Sequence, residues 1–107
     1  MSTRSGEHAN QVGADGFNPV IHAPVRLRLC ATLDALGEVE FGRMLELLEI
    51  SKSALSKNVA TLVEAGYIAQ RRAVRDTRQR LWLHLTPDGY TAYRKHVAAL
   101  QAIVNPR

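Results

Sequence analysis

The apolar positions change period twice along the chain, and each change marks a different kind of element. Residues 1–18 are small and polar, carry no periodic apolar pattern, and predict a flexible arm. Phe17, Pro19, Val20 and Ile21 then predict an extended, apolar lead-in. From Pro24, a residue suited to the first turn of a helix, Val25, Leu29, Leu33 and Leu36 recur on one side with Cys30 beside them, and Gly37 fits the left-handed residue that ends a helix. Glu38-Val39-Glu40 alternates as a strand stub, and a second helix from Phe41 turns Phe41, Met44, Leu45 and Leu48 inward. After the short link Glu49-Ile50, Ser51 is a good N-cap for a helix running from Lys52 to Ala65, with Leu55, Val59 and Leu62 on its buried side and Gly66 at its end.

Beyond Gly66 the period falls from 3.6 to 2. Residues 67–74 and 80–85 predict two strands, with Leu81, Leu83 and Leu85 on one face of the second and a polar connection from Arg75 to Gln79. Thr86 and Pro87 open a last helix to about Val104, with Tyr90, Tyr93, Val97, Leu100 and Val104 as a near-heptad stripe. Helix, strand stub, helix, tight turn, helix and hairpin form a winged helix-turn-helix followed by one more helix: mainly α with a small β-hairpin wing, an α+β fold. The expected organisation is an arm over 1–18 and one domain over 19–107.

The chain has 107 residues, a net charge of +4 and 46% apolar residues, enough for one small domain with a real core. The charge is unevenly placed. Residues 51–80 hold seven basic side chains against two acidic ones, whereas the rest holds seven against eight, so all the excess positive charge lies centrally. That concentration is the electrostatic footprint expected for a nucleic-acid partner. No apolar run approaches the length of a membrane span and the N-terminus lacks the apolar stretch of a signal peptide, so a soluble, cytoplasmic protein with no membrane partner is expected. Cys30 is the single cysteine and has no internal disulfide partner; a small buried hydrophobe is its expected role. His22, His84 and His96 show no ligand spacing and are read as surface or packing residues. With no catalytic constellation and no Gly-rich phosphate loop, neither an enzyme nor a cofactor is expected.

On the helix from Lys52 the outward face carries Lys52, Ser53, Ser56, Lys57, Ala60, Thr61 and Glu64. Small residues there let a helix sit deep in the major groove, while the lysines reach phosphates or guanine edges. In the hairpin Arg75, Arg78 and Arg80 are the favoured contacts to backbone or minor groove, because guanidinium binds phosphate bidentately. Arg71 and Arg72 point to opposite faces of one strand, and at least one is expected to serve the fold. Trp82 alternates with the leucine face and is expected to shelter the wing base or pack on a terminal helix. The later part of the last helix (Val97, Leu100, Val104), with Leu27 and the Phe17–Ile21 lead-in, is expected to bury against a second copy.

The stretches ISKSALSKNVATLVEAGYI (50–68) and RLWLHLTPDGYTAY (80–93) resemble those of the small winged-helix transcriptional regulators of bacteria and archaea, near the MarR and ArsR groups. The resemblance covers Pro24 to Leu100. It implies a dimeric regulator, most often a repressor, on pseudo-palindromic double-stranded DNA. Its recognition-helix positions fall on Lys52, Ser53, Ser56, Lys57 and Thr61, and its wing-tip positions on Arg75, Arg78 and Gln79. The resemblance stops short of the long terminal helices that build a phenolic-ligand pocket in MarR proteins, and of the clustered Cys and His ligands of metal-sensing ArsR proteins. Two competing readings use the same scaffold: a winged-helix module that holds a protein partner, and an architectural DNA binder without sequence preference.

Overall fold

A computed structural model describes residues 12–106. It contains, in order, helix α1 (Pro19–His22), helix α2 (Pro24–Leu36), strand β1 (Glu38–Glu40), helix α3 (Phe41–Leu48), helix α4 (Lys52–Glu64), strands β2 (Ile68–Arg75) and β3 (Arg78–Leu85), and helix α5 (Pro87–Val104). The strands form one antiparallel sheet in the order β1-β3-β2. Glu38-Val39-Glu40 pairs with Trp82–His84, so the stub closes the base of the hairpin against the helices. This is the winged helix-turn-helix with an added C-terminal helix that the element order implies.

The core lies where α2, α3 and α4 meet the inner face of the sheet. Leu29, Leu33, Met44, Leu55, Leu62 and Leu83 are fully buried, with Val39, Ile68 and Leu85 sealing the sheet side. The turn signals act as read. Gly37 and Gly66 both take positive φ, Ser51 Oγ accepts from the Ala54 amide, and Thr86 Oγ1 accepts from the Gly89 amide. No helix among the described residues is long and apolar enough to cross a membrane. None of the described His, Cys, Asp and Glu residues group in threes that could hold a metal ion.

The structure corrects several local expectations. The lead-in is not extended: Asn18 Oδ1 accepts from the amides of Val20 and Ile21 and starts the one-turn helix α1. Val20 and Ile21 thereby enter this chain's own core, which removes them from any surface offered to a second copy. Asn18 is itself buried, so the packed body begins before Pro19; residues 1–11 of the expected arm lie outside the described residues. Leu36, expected on the buried side of its helix, is 60% exposed because α2 ends at the rim of the sheet. On α5 the most buried residues are Gly89, His96 and Ala99, a line shifted round the helix from the expected stripe. The first part of the expected stripe, Tyr90 and Tyr93, still packs half-buried against the core.

The hairpin is also tighter than its sequence suggests. β2 and β3 stay paired out to Arg75 opposite Arg78, leaving only Asp76 and Thr77 as the turn. Both have positive φ, 54° and 61°, which is the turn whose twist matches two antiparallel strands. Regular strand pairing therefore continues closer to the wing tip than a five-residue loop would allow.

Candidate nucleic-acid interface

Helix α4 is presented by rigid supports. Glu49 takes a left-handed conformation (φ 54°) at the end of α3, turning the chain within a few residues so that α4 can start at Lys52. Arg28 of α2 donates to the Leu48 carbonyl at the end of α3 at 3.1 Å. Arg26 donates to Asn58 Oδ1 at 3.1 Å, and the Asn58 amide returns a hydrogen bond to the Ala54 carbonyl, so α2 braces α4 from the side. With Leu55, Val59 and Leu62 inward, the outward face carries Lys52, Ser53, Ser56, Lys57 and Ala60, all exposed. Thr61 is half-buried at the edge of that face and its hydroxyl donates back to the Lys57 carbonyl.

Between α4 and the hairpin runs an open cleft of about 480 Å³. Lys52 and Ser56 form its helix side; Arg72, Arg78, Gln79 and Arg80 form its hairpin side, and Glu40 lies at its base. Five of the nine residues expected in the interface, Lys52, Ser56, Arg78, Gln79 and Arg80, thus line one concave surface. Ser53 and Lys57 stand exposed on the same helix and Arg75 on the hairpin, outside that lining. Arg72 was not among the favoured residues. The register shows why it belongs: opposite Leu81, it sits on the inner face of β2, the face turned toward α4. Strand alternation could have found it once the inward face was anchored on Ile68.

Arg80 is half-buried and held by Glu40 (2.7 Å), which secures its guanidinium in the charged form. Arg71, on the outer face, makes a two-pronged contact with Glu38 (3.0 and 2.8 Å) and lies over the Trp82 ring. Arg71 hydrogen-bonded to Glu38 holds that carboxyl below the ordinary carboxylate range. Of the adjacent pair Arg71 and Arg72, one therefore serves the sheet and the other faces the cleft. Cys30 is fully buried and burial pushes its thiol up to about 12, so it stays protonated and unreactive at neutral pH.

An exposed helix face of small side chains and two lysines beside a basic hairpin has the charge expected for a nucleic-acid partner. Residues 25–104 match the family model described as winged helix DNA-binding domain. The chain belongs to this family: it carries a winged helix DNA-binding domain. No curated protein sequence matches it.

Among solved structures, it is similar in fold to a transcriptional regulator homologue from Pyrococcus horikoshii OT3 (20% identity, 80% of this chain and 85% of that one, TM-score 0.76). It is likewise similar in fold to the transcriptional repressor BigR from Xylella fastidiosa (24% identity, 82% and 81%, TM-score 0.62). A MarR family transcriptional regulator from Silicibacter pomeroyi is 30% identical over 79% of this chain, with a TM-score of 0.58; the match spans about half of that protein, 53% of its length.

Proposed function

We propose that this protein is a sequence-specific regulator of transcription, acting as a homodimeric repressor on double-stranded DNA. Helix α4 lies in the major groove, where Lys52, Ser53, Ser56, Lys57 and Thr61 select sequence. The hairpin lies along the backbone or in the adjacent minor groove through Arg72, Arg75, Arg78 and Gln79. The observation that carries this reading is the cleft: Lys52 from α4 and Arg72 and Arg78 from the hairpin line it together, beside the small exposed residues Ser53, Ser56 and Ala60. Arg80, tied to Glu40, supports the wing base and contributes to the field. Phosphate contacts set affinity, and the α4 face sets sequence preference.

The dimer reading is supported by the far half of α5. Ile103 and Val104 are exposed at 59% and 69%, an unusual display of branched apolar residues, and Val97 and Leu100 are only half-covered. Leu27 already packs against the core of its own chain and contributes at most its outer edge. Two copies joined through α5 would present two α4 helices about one DNA turn, ~34 Å, apart. The repressor reading follows the family resemblance and the name of the Xylella protein.

The test is capture of random duplexes by the purified protein at about 150 mM salt, followed by sequencing, with sedimentation of the free protein alongside. An enriched inverted repeat with half-sites about ten base pairs apart, and a sedimenting dimer, are expected. Binding without enrichment would make it an architectural protein; no binding at any salt would leave a protein partner for the basic cleft.

A further inference from the structure

The segment leading into α1 is fastened to α5 through two histidines, none of whose partners lines the cleft. His96 is fully buried in the middle of α5. Its Nδ1 accepts the backbone N–H of Asn18 at 2.8 Å. Its Nε2 lies 3.2 Å from Nδ1 of His22, at the end of α1. The Phe17 ring packs 4.8 Å from both imidazoles. The Asn18 side chain completes the junction, capping α1 with its oxygen and donating from Nδ2 to the Tyr67 hydroxyl at 2.9 Å.

These contacts admit one protonation state. Because Nδ1 of His96 accepts from a backbone amide, that nitrogen carries no proton, so the neutral ring holds its proton on Nε2. That N–H then donates to His22 Nδ1, which must be unprotonated to accept it. Adding a proton to His96 places N–H against the Asn18 N–H; adding one to Nδ1 of His22 places it against the His96 N–H. Either event sets two donors face to face, and protonation of His96 also leaves the buried Asn18 amide without an acceptor.

We propose that the His22–His96 pair is an acid-sensitive latch, which holds residues 17–22 on α5 while both rings are neutral and releases them when His96 is protonated. The surrounding charges fit this behaviour. Burial and the neighbouring His22 both push His96 below its ordinary value, and Asp15 in the preceding turn opposes them more weakly. Arg26 of α2 is turned to the Val20 carbonyl and Asn58, Lys95 beside His96 on α5 is exposed, and Tyr67 reaches the pair only through Asn18. Among the described residues the one acidic side chain that acts on His96 is Asp15, and it favours the imidazolium less than burial and His22 disfavour it. The same tautomer argument sets the pair apart from a metal site: the His96 nitrogen facing His22 bears the proton and has no lone pair to offer.

Nuclear magnetic resonance on the whole protein decides the matter. Long-range nitrogen–proton spectra should show His96 as the Nε2–H form, titrating below 6.5. The exchange protection of the Asn18 amide, corrected for intrinsic rate, should fall about tenfold or more between about pH 7.5 and pH 5, while that of Leu62 in the core holds. His96→Asn, whose side-chain oxygen can stand where Nδ1 stands, should keep Asn18 protected at both pH values. An Nδ1–H form of His96, a value at or above 6.5, or unchanged Asn18 protection in the wild-type protein overturns the latch, whether or not the variant folds.

Discussion

Gly89 shows how one side chain's absence joins two distant stretches. It sits in the first turns of α5, and a Cβ there would collide with the Tyr67 carbonyl oxygen and approach Leu85 Cδ2 to 3.1 Å. The same Tyr67 carbonyl accepts the Thr86 amide at 3.0 Å, and Thr86 Oγ1 donates to the Gly66 carbonyl at 2.6 Å. The motifs AGYI and LTPDG are thus two halves of one joint between the end of α4 and the start of α5. Gly89→Ala should destabilise the protein by roughly 1–3 kcal/mol, read by urea denaturation, since backbone must move to admit the methyl group. Thr77 makes the opposite case. A β-branched residue at φ 61° is strained, and Thr77→Gly should stabilise the hairpin by about 0.5–1 kcal/mol, visible as a higher denaturation midpoint. A loss of stability in that variant would mean that the Thr77 hydroxyl, which donates to the Asp76 carbonyl, outweighs the strain.

At the scale of the element, α4 and the hairpin have separable tasks. Arg78→Ala should weaken binding to all duplexes alike and reduce the salt slope by about 0.9 per lost phosphate contact. Substitution of Ser56 or Lys57 should instead alter which sequence is preferred, as seen by repeating the duplex selection with the variant. Loss of general affinity alone in both variants would refute the assignment of α4 as the reading element. Glu40 gives a sharper test, because it is the acidic residue lining a basic cleft and it holds Arg80. Glu40→Gln removes a negative charge facing DNA and frees a guanidinium. Affinity for all duplexes should rise and the salt dependence steepen; weaker binding would show that Arg80 acts only through its fixed position.

For the molecule as a whole, pH links the N-terminal segment to stability. His96 has a folded value below its ordinary 6.5, so between those two values the unfolded chain binds more protons. Stability is therefore complete above 6.5 and falls as pH drops toward the folded value, then levels off with respect to this group. Denaturation midpoints measured from about pH 8 down to pH 5 should trace that decline, and His96→Asn should flatten it. Glu38 acts in a lower range: its lowered value keeps its pairing with Arg71 intact until pH falls below the usual carboxylate range. The two declines are separate because an imidazole ordinarily titrates well above a carboxyl, and the Arg71 guanidinium lowers the Glu38 carboxyl further.

The period of the apolar residues, the caps at Ser51 and Thr86 and the glycines at 37 and 66 determine the elements and their order by local physics alone. Charge in residues 51–80 marks the basic surface in the same way. Tertiary structure decided what depends on partners distant in the chain. Arg71 and Arg72 are chemically identical neighbours, and only the pairing of β2 with β3, together with Glu38 from β1, sends one to the sheet and the other to the cleft. Val20 and Ile21 look like interface residues until Asn18 caps α1 and turns them inward. His96 looks like a surface histidine until α5 packs it against Asn18 and His22, residues more than seventy positions away. Spacing along a helix or strand is set by backbone geometry and can be read in sequence. Which face is buried, and which polar atoms meet there, is set by long-range packing.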